Sequence, residues 1–331
     1  MLLRPAGWAL GQIAERRWRH AKPYTSSLPV ICVGNFTAGG TGKTPLALEL
    51  ARILKARGER PVFLTRGYGG RLAGPHRIDV SRDDATAVGD EALLLAAVAP
   101  VFLSRHRAAG ARAIEAAVAS GDLVASVILM DDGLQNPGLA KTLTLAVVDG
   151  RRGVGNGLVI PAGPLRAALG FQLKLADVIV FNGPSAGHIL QPFAGAVLQV
   201  VVAPTGDTTW LTARPIVAFA GIGNPARFFD LLEVLGAKLG ARLPFADHKM
   251  LSEADATTVL DTAHRAGATI VTTQKDIARL GGASGAARQK LLREARTLPI
   301  RLVFAGGDEA RLTKLLDAAL ARHRTQRPAQ P

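Results

Sequence analysis

A short apolar run at residues 29–33 is followed by Thr37, Ala38, Gly39, Gly40, Thr41, Gly42, Lys43 and Thr44, and then by a helical pattern over residues 45–56. Strand, glycine-rich turn and helix in that order resemble a P-loop, and they confine this part of the chain to a phosphate-binding βα unit. The glycines let backbone N–H groups curl around phosphate oxygens, and the helix N-terminus adds a favourable dipole. Lys43 has the reach for the β- and γ-phosphates of a nucleotide, and the Thr44 hydroxyl suits Mg²⁺. Pro45 falls in the first helical turn, where a missing N–H costs little. One position departs from the general pattern: Thr37 stands where a glycine is usual. An ordinary glycine-rich turn would not need Lys43 and Thr44 at these places.

Strand-like runs and helical patterns continue to alternate. Residues 62–65, 101–103, 124–130, 143–148 and 178–181 read as strands, and residues 90–98 and 108–119 as helices. That rhythm predicts a parallel or mixed sheet covered on both faces. A polar, turn-rich stretch at 205–209 reads as a hinge, and a second α/β series follows, with strands at 216–220, 269–273 and 302–304 and a helix at 226–235. The expectation is an α/β/α P-loop domain over residues 26–205 and a second, smaller α/β domain over 206–321. An N-terminal amphipathic helix occupies 1–25, and a disordered tail 322–331.

The chain has 331 residues and a formal net charge of +14. That excess calls for an anionic partner. Aromatic residues are only 5% of the chain, too few for the stacking platforms of single-stranded nucleic-acid binding, so a nucleic-acid partner is not expected. The single cysteine, Cys32, excludes an internal disulfide framework and a Cys-built zinc site. No apolar run approaches the roughly 18 residues of a membrane span. Residues 1–20 read as a helix with Leu2, Leu3, Ala6, Ala9, Leu10, Ile13 and Ala14 on one face, and residues 1–22 carry five cations against Glu15. Two readings stay open: a helix in an anionic membrane interface, or one packed on the protein's own core.

Other chemistry-bearing segments lie at strand ends. Asp131 and Asp132 follow the run at 124–130, where a P-loop enzyme places an acid near Mg²⁺. A strand-ending Asp-Gly turn would look the same. Asp90 and Glu91 open a helix, either as first-turn acids or as a carboxylate for base work. Asp247 and His248 form a pair that is either a surface turn or a histidine oriented by a carboxylate. Basic loops at 65–70, 104–107, 151–152 and 161–166 sit where a phosphorylated ligand would bind.

Taken together, the motifs at 33–45, 65–70, 89–91, 131–135, 161–166, 247–248 and 273–276 resemble the lipid A 4′-kinases, the tetraacyldisaccharide 4′-kinase family of Gram-negative bacteria, over nearly the whole chain. The resemblance implies transfer of the ATP γ-phosphoryl to the 4′-hydroxyl of a lipid A disaccharide 1-phosphate. It implies Mg²⁺, two α/β domains with the site between them, and a peripheral place on the cytoplasmic face of the inner membrane. By motif, residues 37–44 hold the nucleotide, with Lys43 catalytic. Asp90 is the base and His248 its partner. Thr44, Asp131 and Asp132 serve the metal and phosphates. Lys275 and Asp276 lie near the nucleotide. Tyr68, Arg105, Gln135 and Arg166 fall to the acceptor. The sequence does not indicate protein partners.

The chain departs from the family pattern at Leu134, Asn136 and Gln274, and at Ala167, where an acid usually follows Pro-Leu-Arg. A different function, a regulatory or maturation GTPase acting on a protein, would need a guanine-reading Asn-Lys-x-Asp. Gln274, Lys275 and Asp276 do not supply it.

Overall fold

The structure, a computed structural model, describes residues 3–184, 193–282 and 284–325. Its first sheet has nine strands. In chain order these are β1 (Val30–Asn35), β2 (Pro61–Thr65), β3 (His76–Arg77), β4 (Val101–Leu103), β5 (Val127–Asp131), β6 (Leu143–Asp149), β7 (Val178–Asn182), β8 (Ala196–Pro204) and, from far along the chain, β13 (Ile300–Phe304). The order across the sheet is β13-β8-β7-β6-β1-β5-β2-β4-β3. The seven inner strands run parallel, and β3 and β13 close the edges antiparallel. A second sheet, all parallel, is ordered β10-β9-β11-β12, from β9 (Ile216–Ala220), β10 (Leu239–Pro244), β11 (Thr269–Thr272) and β12 (Arg296–Thr297).

Burial on both faces explains the unbroken apolar strands. Along β1, Ile31 and Val33 pack with Leu46, Leu50 and Leu54 of helix α2 (Lys43–Ala56) on one side. Val30 and Cys32 pack with Ala111 and Ile114 on the other. The α/β/α expectation is met, and the helix after the glycine-rich loop begins two residues earlier than the pattern at 45–56 suggested. The strand expected over 124–130 starts at Val127; Val124 is exposed.

The domain division differs from the expected one. The second sheet's unit ends near residue 297, and the chain then returns to the first sheet. β13 pairs with β8, and the C-terminal helix Asp308–Thr325 buries Leu312 and Leu316 in the first core. The unit is thus an insertion, entered and left by adjacent segments: Thr205 N–H donates to Pro299 O at 2.9 Å. The expected hinge at 205–209 is one half of this double crossing. Residues 322–325, assigned to a disordered tail, are helical. The rest of that stretch, and Leu2, lie outside the described residues.

Helix α1 (Arg4–Arg19) does not bury the apolar face read from the sequence. Leu3, Ala6, Ala9, Leu10 and Ile13 are all exposed, and so is Trp8. Ala14, at the end of that face, is half-buried, and only Gly7 and Gly11 are fully buried, so the own-core reading fails for most of that face. A Cβ at Gly7 would stand 2.5 Å from Val159 O, so glycine is what lets α1 lie flat on the 158–168 loop. Among the described residues no helix is long and apolar enough to cross a membrane.

Candidate active site

The glycine-rich loop joins β1 to α2 at the carboxyl ends of the parallel strands, where ligands of open α/β sheets bind. The loop is held from three sides. Asn35 Nδ2 donates to Thr37 O at 2.6 Å and to Thr41 Oγ1 at 3.1 Å. Ala38 N–H donates to Pro164 O at 2.8 Å. Asn182, at the tip of β7, donates to Thr41 O at 3.0 Å. Gly39 and Gly40 remain exposed, while Thr44 is buried.

A cavity of about 1120 Å³ opens beside the loop, lined from both sheets' units. Lys43, Asp132, Arg166, Glu91 and Tyr68 come from the first, and His248 and Lys275 from the second. The units meet closely here: a methyl added at Gly223 would stand 2.6 Å from Gly40 N.

Asp131 and Asp132 end β5 and behave differently. Asp131 is buried, and among the described residues its Oδ1 has no hydrogen-bond partner. Burial, then the negative charges of Glu91 and Asp132, push its carboxyl up to about 7. Asp132 pairs with Arg166 at 2.8 Å and lies 3.8 Å from Lys43. Burial works to raise its pKa, but the two cations hold it below the usual carboxylate range. Its φ is +50°, a backbone state costly for a non-glycine residue and typical of functional sites.

Asp90 opens the short helix α4 (Asp90–Ala96) after Gly89, whose φ is +88°. A Cβ at Gly89 would stand 2.3 Å from Tyr68 O, so glycine lets the helix start against the 66–70 loop. Asp90 is only 4% exposed. His248 comes from the second unit, on a residue with φ +58°. Its Nδ1 stands 3.4 Å from Asp90 Oδ1, an ion-pair distance, and its ring meets Tyr68 edge-on at 5.0 Å. The Asp90 carboxylate is the main influence raising the His248 pKa, with burial opposing it. For Asp90 itself, burial would raise the pKa; the facing His248, then Arg279 and Lys275, outweigh it and hold the carboxyl far below its ordinary range.

Most expected residues line the cavity, but six do not. Thr37, Asp90 and Asp131 are buried behind its wall, Asp90 against the lining residue His248, and the other three make different contacts. Arg105 donates to Gly70 O and Arg71 O, bracing the 66–71 loop from outside. Gln135 Nε2 donates to Asn35 O and to Gln172 Oε1, each at 2.7 Å, behind the site. Asp276 is buried, taking Gly221 N–H at 3.0 Å and Arg279 Nη1 at 2.9 Å. Its neighbour Lys275 does line the cavity and pairs with Glu91. Ala167 is fully buried and offers no ligand.

Asn182, Arg227 and Arg279 had not been singled out. Arg227, from the second unit, donates to Asn182 Oδ1 at 2.6 Å and pairs with Asp149 at 3.5 Å. The available signals were faint: Asn182 directly follows a strand-like run, and Arg279 lies one helical turn after Asp276.

Residues 1–321 match the family model described as tetraacyldisaccharide-1-P 4′-kinase. The chain is 44% identical to the tetraacyldisaccharide 4′-kinase of Parvibaculum lavamentivorans, over 98% of this chain and 94% of that one. It is 48% identical to the protein of the same name from Rhodopseudomonas palustris BisB18, over 84% and 81%. Among solved structures it is similar to LpxK from Aquifex aeolicus, determined in complex with ATP, with a TM-score of 0.73 and 24% identity, covering 97% of this chain and all of the other. That likeness establishes the fold.

Proposed function

This chain belongs to the tetraacyldisaccharide-1-P 4′-kinase family and is a kinase of lipid A biosynthesis; on that premise we propose how its own residues perform the reaction. ATP lies along residues 37–44, with Lys43 on its β- and γ-phosphates. The acceptor, a tetraacyldisaccharide 1-phosphate, enters the cavity between the two units and presents its 4′-hydroxyl to the γ-phosphorus. Asp90 accepts the hydroxyl proton, and His248 orients and charge-balances it. Arg166 and Tyr68 face the acceptor. Phosphoryl transfer asks mainly for positioning and charge neutralisation, which suits a cavity walled by Lys43, Arg166 and Lys275.

A divalent cation fits this arrangement. The orphaned buried Oδ1 of Asp131 and the buried Thr44 hydroxyl would hold Mg²⁺, with Asp132 beside them. Mg²⁺ typically takes one or two carboxylates and fills its remaining positions with waters and phosphate oxygens. Bound there, it would neutralise charge on the phosphates. Among the described residues no group of three or more His, Cys, Asp or Glu side chains is arranged to hold a metal alone, consistent with a cation shared with the nucleotide. Residues 1–25 rest the enzyme on the anionic cytoplasmic face of the inner membrane.

The observation that carries the catalytic reading is the Asp90–His248 pair, one partner from each unit, beside the glycine-rich loop. The test is a transfer assay with γ-labelled ATP and the lipid disaccharide. Wild type labels the lipid, while Asp90→Asn keeps nucleotide binding and loses transfer. Label released as free phosphate with none in the lipid would instead favour an ATPase or switch. Full transfer by Asp90→Asn would remove the base assignment.

A further inference from the structure

Arg279 lies in helix α9 (Gln274–Leu280) of the second unit and is 4% exposed. Its Nε donates to Asp90 Oδ2 at 2.6 Å, across 189 residues of chain. Its Nη1 donates to Gly221 O and to Asp276 Oδ1. Asp276 is itself fixed: Thr273 Oγ1 donates to it at 2.6 Å and Gly221 N–H at 3.0 Å. A buried guanidinium is costly unless its donors are matched. Here Nε and Nη1 are matched by one carboxylate from each unit and by Gly221 O, while Nη2, though 2.6 Å from Asp90 Oδ2, makes no aligned hydrogen bond among the described residues.

We propose that Arg279 is a positioning residue for phosphoryl transfer, locking Asp90 in its working orientation only when the two units are together. This rests on the reading of Asp90 as the proton acceptor. The bond geometry divides the Asp90 carboxylate. Oδ2 is taken by Arg279. Oδ1 accepts the Glu91 N–H at 2.9 Å and faces His248 at the longer 3.4 Å, so it is the less tightly held oxygen, on the side of the cavity-lining His248. Arg279 suits this task better than lysine would, because its planar fork reaches Asp90, Asp276 and Gly221 O at once.

Closure of the units thereby completes the acceptor site. Opening would strip Asp90 of both Arg279 and His248, leaving a carboxylate with neither its orientation nor its counter-charges. Transfer would then await closure, which limits idle reaction with water. Beyond Arg279 and His248, the charged groups around Asp90 are Lys275 and Glu91, paired with one another, together with Asp276 behind Arg279 and Asp247 beside His248. Removing Arg279 leaves Lys275 and His248 as the remaining cations, with the acids unchanged.

The test uses the full chain. Arg279→Gln is expected to lower kcat about 100-fold, the scale of a misplaced catalytic group, with KM for ATP unchanged. The acid limb of the pH–rate profile should move up by about one unit or more, as an opposite charge is lost beside a carboxylate. Arg279→Lys should restore most of the limb position but only part of kcat. Asp276→Asn, which loosens Arg279 without removing its charge, should lower kcat with a smaller limb shift. It serves with Arg279→Lys if the Gln variant does not fold. Wild-type kcat in folded Arg279→Gln would overturn the proposal. So would parallel loss of kcat, ATP affinity and melting temperature with no limb shift. Asp90→Asn run alongside separates the two ideas: its full activity would sink the acceptor reading itself, whereas its collapse beside an active Arg279→Gln would sink only the role given to Arg279.

Discussion

The Asn182 side chain ties the tip of β7 to the phosphate loop, its Nδ2 donating to Thr41 O at 3.0 Å. The same amide's oxygen is held by Arg227 of the second unit at 2.6 Å. One residue therefore spans the glycine-rich loop and the inserted unit. Losing one partner of a buried hydrogen bond costs about 1–3 kcal/mol, and about 1.4 kcal/mol is tenfold in affinity. Asn182→Leu is expected to weaken ATP binding about tenfold by leaving Thr41 O without its side-chain donor and Arg227 with only Asp149 and the residue-182 carbonyl. Equilibrium binding of a fluorescent ATP analogue reads it directly, and unchanged affinity would show that the loop holds its shape without β7.

Asp131 makes the unliganded protein pH-sensitive in a definite direction. Its folded-state pKa is about 7, against 3.8 for an ordinary aspartate. Between those values the folded protein holds a proton that the unfolded chain has released. Stability from this group is thus present at low pH and lost as pH rises through the window. Asp131→Asn removes the penalty. In chelator at pH 8 the variant should melt at a higher temperature than wild type, while its transfer activity is lost. A divalent cation must displace the same proton, so Mg²⁺ affinity of the wild type should climb with pH and level off above about 7. A variant that melts lower than wild type at pH 8 without metal would contradict this account of Asp131.

Much of the site was legible because its chemistry is local. Lys43 and Thr44 announce themselves by their distance from the glycines, whereas Asp90 and His248, each open to a first-turn or surface-turn reading, are marked out only by the resemblance of their short motifs to the kinase family. What escaped is long-range. The run at 302–304 looks the same whichever sheet receives it, and only the hydrogen bonds of β13 with β8 reveal that the chain goes home after the insertion. Arg279 and Arg227 carry no motif, since each gains its role from a carboxylate or amide delivered by the other unit. Arg105, Gln135 and Asp276 show the converse. Their motifs were found, but the structure uses them to brace a loop, a strand end and an arginine rather than to line the cavity. Residue type and spacing name the participants, whereas packing decides which of them face the substrate.

Helix α1 poses the last question, because it exposes what a soluble helix buries. Trp8 is 70% exposed, Ile13 53% and Leu10 48%, while Gly7 and Gly11 hold the helix to the protein. Sinking such side chains into a lipid interface gains about 1.5–3 kcal/mol each, and each nearby cation adds about 1 kcal/mol on an anionic surface. The double substitution Trp8→Ser and Ile13→Ser should therefore lower partition onto vesicles containing anionic phospholipid by about 100-fold. Because neither side chain is packed, melting temperature should be unchanged. Wild-type binding should weaken with added salt and on neutral vesicles, through Arg16, Arg17 and Arg19 at the helix end. Co-sedimentation with the two vesicle types measures both effects. Equal partition of the double variant and wild type would mean that the open face of α1 meets something other than lipid.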